Sequence, residues 1–146
     1  LGSFVMASAD LGRAHRVQAF AKRFDAEVAF IDKRRVVGET HVFNVIGDVN
    51  GRAVVIYDDM TRSGGTLIDA ARAYLAKGAS SVSAVVSHLA FDDSIVAFKM
   101  ENSPIRRVIA TNSHPMSQHP NVEHSPKFDI LDVAGIFGEA IARLLA

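Results

Sequence analysis

The stretch Val54-Val55-Ile56-Tyr57-Asp58-Asp59-Met60-Thr61-Arg62-Ser63-Gly64-Gly65-Thr66-Leu67-Ile68 constrains this chain more than any other. A continuous apolar run ends in two adjacent carboxylates, a short glycine-containing turn follows, and then a helical pattern begins. The run reads as a buried parallel strand. Asp58 and Asp59 stand at its carboxyl end, where open α/β sheets bind their ligands. Gly64 and Gly65 let the backbone turn tightly and approach a ligand without a Cβ clash. Ser63 and Thr66 place hydroxyls beside the free amides of a helix start, a combination suited to a phosphate dianion. One loop could thus hold a phosphate at one end and ligand hydroxyls at the other, the two ends of a ribose 5-phosphate.

The rest of the chain supplies a matching scaffold. Phe4 to Ala7, Val28 to Asp32, His41 to Ile46, Ala53 to Asp58, Ser81 to Leu89, Ile105 to Ala110 and Phe128 to Leu131 read as strands. Helices are expected over Leu11 to Phe24, Gly65 to Lys77, Ser94 to Met100 and Val133 to Leu145. Asp10 is placed to cap the first helix, and Gly78 to end the second. The first helix would bury Leu11, Ala14, Val17, Phe20, Ala21 and Phe24. Lys33 to Thr40 is polar and basic without a clear period and reads as a loop. Asn112 to Lys127 carries Pro115, Pro120 and Pro126 and reads as irregular rather than helical. Strands alternating with helices give an α/β fold, a mainly parallel sheet in three layers with helices on both faces.

Bulk properties narrow the function classes. At 146 residues the chain is the size of one domain, and all of 1–146 reads as one unit. Hydrophobic residues make up 49% and charged residues 22%, the balance of a globular protein. Lys plus Arg equals Asp plus Glu at 16 each, so net charge gives no reason to propose a nucleic acid partner. Without cysteine, disulfides and thiolate metal sites are excluded. No apolar run approaches the length of a membrane span, and a cytoplasmic location is the natural expectation.

The loop Asp58 to Thr66 resembles the signature of type I phosphoribosyltransferases. Its nearest likeness is the version in ribose-phosphate pyrophosphokinases, which make phosphoribosyl pyrophosphate (PRPP). Five further segments resemble that family in order. Phe4-Val5-Met6-Ala7-Ser8-Ala9-Asp10-Leu11-Gly12 is similar to its strand and turn with a metal-associated aspartate. Ile31-Asp32-Lys33-Arg34-Arg35 resembles the entry to its flexible catalytic loop. Gly47-Asp48-Val49-Asn50-Gly51-Arg52 matches the connection before the signature strand. Val86-Ser87-His88-Leu89-Ala90-Phe91 and Ala110-Thr111-Asn112-Ser113 look like later strand ends.

The resemblance implies the C-terminal half of a ribose-phosphate diphosphokinase, with ATP as co-substrate, and a further N-terminal half holding much of the ATP site. The overall reaction would transfer pyrophosphate from ATP to the 1-hydroxyl of ribose 5-phosphate. Asp58 and Asp59 would accept the ribose hydroxyls, Ser63, Gly64, Gly65 and Thr66 would bind the 5-phosphate with Arg62 beside them, and Lys33 and Arg35 would be catalytic. Cations are wanted there because negative charge builds on the transferred and leaving phosphates. Asp10 would associate with Mg2+, and the protein would be a homo-oligomer built from dimers, without nucleic acid or membrane partners. Many relatives carry a third acid where this chain has Arg62, and a proline where it has Val36.

Blander readings stand beside these. The glycine turn could be an ordinary capped helix entry, Asp58-Asp59 a pair stabilising nearby amides, Lys33 to Arg35 a solvated basic turn, and Asp10 only a cap. His88 could contact ribose or nucleotide, or be a satisfied structural histidine. His114, His119 and His124 recur every five residues, which fits no common zinc signature, and read as a solvated loop. Two alternatives share the motifs: a base phosphoribosyltransferase consuming PRPP, and a non-catalytic regulatory subunit that keeps the fold.

Overall fold

The computed structural model describes residues 4–36 and 39–145, with the side chains of all but 34–36 and 39–43. Seven strands form one sheet: β1 (Phe4–Ala7), β2 (Glu27–Val36), β3 (Glu39–Ile46), β4 (Ala53–Thr61), β5 (Ser81–Leu89), β6 (Val108–Thr111) and β7 (Phe128–Leu131). Their order is β3-β2-β1-β4-β5-β6-β7. Every pairing is parallel except β2 with β3, which is antiparallel. The helices are α1 (Ala14–Phe24), α2 (Gly65–Ala76), α3 (Ile95–Glu101), α4 (Pro120–Glu123) and α5 (Ala134–Leu145).

The strand order reverses between β1 and β4. From β1 the chain passes through α1 to β2 on one side, and from β4 it passes through α2 to β5 on the other. This is a topological switch point, and the crevice at its carboxyl end is where such sheets bind ligands. The ends of β1 and β4 carry Ser8-Ala9-Asp10 and Asp58-Asp59.

Two apolar clusters confirm helices on both faces of the sheet. The larger joins Val5, Ala7, Val54, Ile56, Val82 and Ala84 to Leu67, Ala70, Ala71 and Tyr74 of α2 and to Val96, Ala97 and Met100 of α3. The smaller packs Met6 and Phe30 under Val17 and Ala21 of α1, with Phe20 stacked on Tyr57 at 4.7 Å between centroids. Because α1 covers only part of its face, β4 alternates between buried and half-buried positions rather than being buried throughout. A cleft lined by Phe4, Phe20, Phe24, Val55, Tyr57 and Val85 remains open on that face. Of the face expected for the first helix, Leu11 and Phe24 are exposed. Helix α5 buries none of its side chains and leaves Ile136, Phe137, Ile141, Leu144 and Leu145 exposed.

Several sequence expectations are corrected. The basic segment read as a loop from Lys33 to Thr40 is largely strand: β2 continues to Val36 and pairs with β3 through Lys33↔Val42, Arg34↔His41 and Arg35↔Thr40. Positions 37–38 lie outside the described residues. Backbone pairing with the next strand, β3, organises this segment, so side-chain periodicity does not reveal it. The first helix opens with a 3-10 turn, Leu11–Arg13, and Asp10 precedes it without a side-chain cap bond. The region Asn112 to Lys127 contains a 3-10 turn, Pro115–Gln118, as well as α4. Proline opens both, at the first helical position, where its missing N–H is no loss. Gly78, at φ 91°, ends α2 as expected.

Candidate active site

Strand β4 aims its two acids differently. Val54, Ile56 and Asp58 share the buried face toward α2, whereas Tyr57 and Asp59 belong to the face of α1. The pair is gathered at the strand's end by Arg13, the last residue of the 3-10 turn after β1. Its Nε lies 2.8 Å from Asp58 Oδ1 and its Nη1 2.5 Å from Asp59 Oδ2. Arg16, one turn on, approaches Asp59 Oδ2 at 3.8 Å. Backbone amides complete the setting: Asp59 N donates to Asp58 Oδ1 at 2.9 Å, and Met60 N to Asp59 Oδ1 at 2.8 Å.

The two acids respond oppositely. Burial pushes the Asp58 carboxyl above the usual range, and its amide and Arg13 contacts only partly offset this. Asp59 is also desolvated, but the Arg13 hydrogen bond and charge outweigh that and hold it below the usual range. Burial tends to lower the pKa of Arg13, yet the charges of Asp58, Asp59 and Asp10 carry it upward.

Beyond the acids, β4 continues to Thr61 and the chain turns through Arg62-Ser63-Gly64 into α2. Gly64 has φ 74°, and a Cβ there would meet Met100 Sδ at 3.0 Å and Val96 Cγ1 at 3.3 Å. Glycine is therefore required by both backbone and packing. The first helical bond is Ile68 N to Gly64 O at 3.0 Å. The amides of Gly65, Thr66 and Leu67 consequently precede the hydrogen-bonded ladder, at the positive end of the helix dipole. Ser63 Oγ is 3.4 Å from Gly65 N. A cavity of about 140 Å³ joins this loop to Asp58, lined onward by Thr61, Ser63, Gly64 and Thr66, and Asp59 lies outside its lining. Arg62 borders it, but its Nε and Nη2 both donate to Asp92 Oδ1, at 2.9 and 2.6 Å.

Asp10 lies half-buried at the end of β1, close enough to influence Arg13. Among the described residues, no group of three or more His, Cys, Asp or Glu is arranged to hold a metal. The carboxylates fit a magnesium ion only in the sparse manner of one protein ligand supplemented by substrate phosphates and water, which Asp10 could supply.

Lys33 and Arg35 stand apart from this cluster. Ala7, the last residue of β1, is level with Ala29 of β2. Ala7 is also level with Ile56 of β4, so Lys33 stands level with Met60, just past Asp58 and Asp59 along the strands and two strand spacings, about 10 Å, across the sheet from them. The side chain of Lys33 is half-buried, and that of Arg35 lies outside the described residues.

His88 follows the structural alternative to the extent that its Nδ1 is 2.6 Å from Ser113 Oγ. Thr111 Oγ1 donates to the Ser87 carbonyl at 2.6 Å, tying the ends of β5 and β6 together. The histidine repeat has a structural explanation that the sequence reading missed. His114 Nδ1 accepts from Met116 N and His119 Nδ1 from Asn121 N, so each caps the proline-initiated turn that follows it. The signal was the repeated His-Pro pair. The role of Arg13 was also missed, since its partners lie 45 and 46 residues away.

Comparison with known proteins agrees with the geometry. The family described as "Phosphoribosyl synthetase-associated domain" matches residues 33–146. A ribose-phosphate pyrophosphokinase of Brucella melitensis is 39% identical over 146 residues, covering 99% of this chain and 46% of the relative. One from Mesorhizobium japonicum is 41% identical over 144 residues, covering 98% and 45%. The chain thus spans slightly under half the length of these curated relatives. The crystal structure of phosphoribosylpyrophosphate synthetase from Mycobacterium smegmatis superposes with a TM-score of 0.85 at 26% identity, covering 98% of this chain and 45% of that one.

Proposed function

We propose that this chain, which belongs to the phosphoribosyl synthetase-associated domain family, is the ribose 5-phosphate-binding half of an enzyme that transfers pyrophosphate from ATP to the sugar's 1-hydroxyl. The observation that carries this reading is the single cavity that runs from Asp58 to the amides at the start of α2. A phosphate on those amides leaves the attached sugar's hydroxyls toward Asp58, which lines the cavity, with Asp59 next to it in the chain. Ionised carboxylates are acceptors only, which suits vicinal hydroxyls. The relatives named as ribose-phosphate pyrophosphokinases supply the reaction class.

In this reading Ser63, Gly64, Gly65 and Thr66 hold the 5-phosphate, and Asp58 and Asp59 orient the ribose. Arg62, held by Asp92, flanks the phosphate site. Lys33 and Arg35, on the hairpin beside the crevice, stabilise the charge that develops on the transferred pyrophosphoryl group. Asp10 contributes to a magnesium ion held mainly by the phosphates of ATP. The remainder of the protein supplies most of the nucleotide site, and the assembly is a cytoplasmic homo-oligomer built from dimers. The exposed apolar side chains of α5 favour burial against a further surface. Among the described residues no helix is long and apolar enough to cross a membrane.

The test is formation of AMP from ATP by the full-length protein, dependent on ribose 5-phosphate and magnesium. Activity in the unaltered protein supports the catalytic reading. Activity only after Arg62→Asp would favour a non-catalytic subunit, and consumption of PRPP with a free base would favour a base phosphoribosyltransferase.

A further inference from the structure

The centre of the acidic cluster is held by a side chain. Arg13 lies within hydrogen-bonding distance of both Asp58 and Asp59, and Asp10 acts on it electrostatically. Only 31% of its side chain is exposed. Arg16 adds a second positive charge 3.8 Å from Asp59. A divalent ion bridging Asp58 and Asp59 would have to take the position of this guanidinium, or sit against it. We propose that Arg13 is the resident counter-cation of the sugar-binding carboxylates, a specificity-determining residue through which this site grips a vicinal diol without a bridging metal ion. The inference rests on the assignment of Asp58 and Asp59 to the ribose hydroxyls.

The hydrogen-bond inventory makes the arrangement workable. Three hydrogen bonds and an ion pair reach the carboxylates: Arg13 Nη1, Asp59 N and Met60 N donate, and Arg13 Nε lies 2.8 Å from Asp58 Oδ1. Two carboxylates offer roughly eight acceptor positions, so capacity remains for two hydroxyl protons. Arg13 donates one hydrogen bond, from Nη1 to Asp59, and pairs through Nε with Asp58, while a guanidinium carries five N–H groups. The others can donate to hydroxyl or ring oxygens of the same sugar. Each hydroxyl can then donate to a carboxylate while accepting from the guanidinium, a pairing in which the bonds polarise one another. A hydrated magnesium ion bridging the same pair would supply neither the planar fork nor the fixed position. Asp10, not hydrogen-bonded to Arg13, stays available to a metal that arrives with substrate phosphates.

The experiment is calorimetric titration of ribose 5-phosphate, without ATP, into the full-length protein and its Arg13→Met and Arg13→Lys variants, each in EDTA and in millimolar magnesium. Bound Mn2+ is counted in parallel by electron paramagnetic resonance. For the unaltered protein, the dissociation constant should agree within about twofold in the two buffers. Arg13→Met should bind at least tenfold more weakly in EDTA, recover in magnesium, and take up an additional Mn2+ ion. Arg13→Lys, keeping the charge without the fork, should fall between them and remain insensitive to metal. A tenfold loss by the unaltered protein in EDTA would overturn the proposal while leaving the sugar site intact, as would equal metal dependence in all three proteins. Failure of the folded, unaltered protein to bind ribose 5-phosphate in either buffer would overturn the assignment of the site and the proposal together.

Discussion

The hydroxyl of Tyr74, fully buried on α2, donates to the backbone carbonyl of Ser8 at the end of β1, 2.7 Å away. The bond ties the helix that begins at the proposed phosphate loop to the strand that leads to Asp10 and Arg13. Burial pushes the Tyr74 hydroxyl far above its ordinary pKa, so it remains a proton donor throughout the working range. Tyr74→Phe leaves the Ser8 carbonyl without this partner, at an expected cost of about 1–3 kcal/mol in stability. Chemical denaturation of the full-length protein and the variant measures it. A change within experimental error would show that water or a backbone shift replaces the bond.

The adjacent glycines should separate folding from binding. At Gly64 any side chain meets Met100 and Val96 in a left-handed backbone conformation. Gly64→Ala should therefore destabilise the fold by about 1–2 kcal/mol from backbone strain alone. At Gly65 a Cβ would meet only Ser63 Oγ, at an ordinary 3.6 Å. Gly65→Val should fold nearly normally, yet place its branches against the proposed phosphate and abolish ribose 5-phosphate binding. Thermal unfolding and calorimetry on both variants test the pair, and unimpaired binding by Gly65→Val would exclude these amides as the phosphate site.

The signature loop was legible in sequence because its geometry is local. A strand end, a left-handed glycine and free helix amides lie within one turn of chain, and residue chemistry reports each. The features missed depend on partners that a segment's own residue pattern does not show. Lys33 to Val36 became strand because β3 supplies backbone partners, which a count of apolar positions cannot detect. Arg13 reads as one polar residue of a helix start until the fold sets β4 beside β1. The prolines of the Asn112–Lys127 segment were read as breakers, but Pro115 and Pro120 sit where a helix begins, and Pro126 falls in the turn before β7. Lys127 carried no signal at all, although its Nζ donates to the carbonyls of Met100, Glu101 and Ser103 and closes the end of α3.

The opposite shifts of the two acids give opposite effects on stability. Asp58 has a raised pKa in the folded state, so folding favours its protonated form. Its contribution is best at low pH and is lost as pH rises from the ordinary carboxylate range through its raised value. Asp59 has a lowered pKa. Its stabilisation is present above the ordinary carboxylate range and disappears as pH falls through its depressed value. At pH 7, Asp58→Asn should therefore stabilise the protein and Asp59→Asn destabilise it, while both weaken ribose 5-phosphate binding. Denaturant midpoints between pH 4 and 7 provide the check, since the Asp58→Asn gain should shrink toward the acid end. Destabilisation by Asp58→Asn at pH 7 would mean that the Arg13 ion pair outweighs the burial of that carboxylate.

Lys33, on the β2–β3 hairpin, lies about 13 Å past the end of β1 at ordinary strand rise. Ala29, Ala7 and Ile56 are level across β2, β1 and β4, so what separates Lys33 from the carboxylates assigned to ribose 5-phosphate is two strand spacings across the sheet, about 10 Å. A cation acting on developing phosphoryl charge contributes mainly in the transition state. Removing one such group typically costs on the order of 10²–10³ in kcat. Lys33→Ala in the full-length protein should lower kcat by that order while leaving the dissociation constant for ribose 5-phosphate within about twofold. Lys33→Arg should recover part of the rate, because it keeps the charge on a different head group. Steady-state kinetics combined with calorimetric titration of ribose 5-phosphate resolves the two effects. If the substitution instead weakened ribose 5-phosphate binding in proportion to the rate, Lys33 would belong to the sugar site, and the hairpin would fold down over the crevice rather than serve the transferred group.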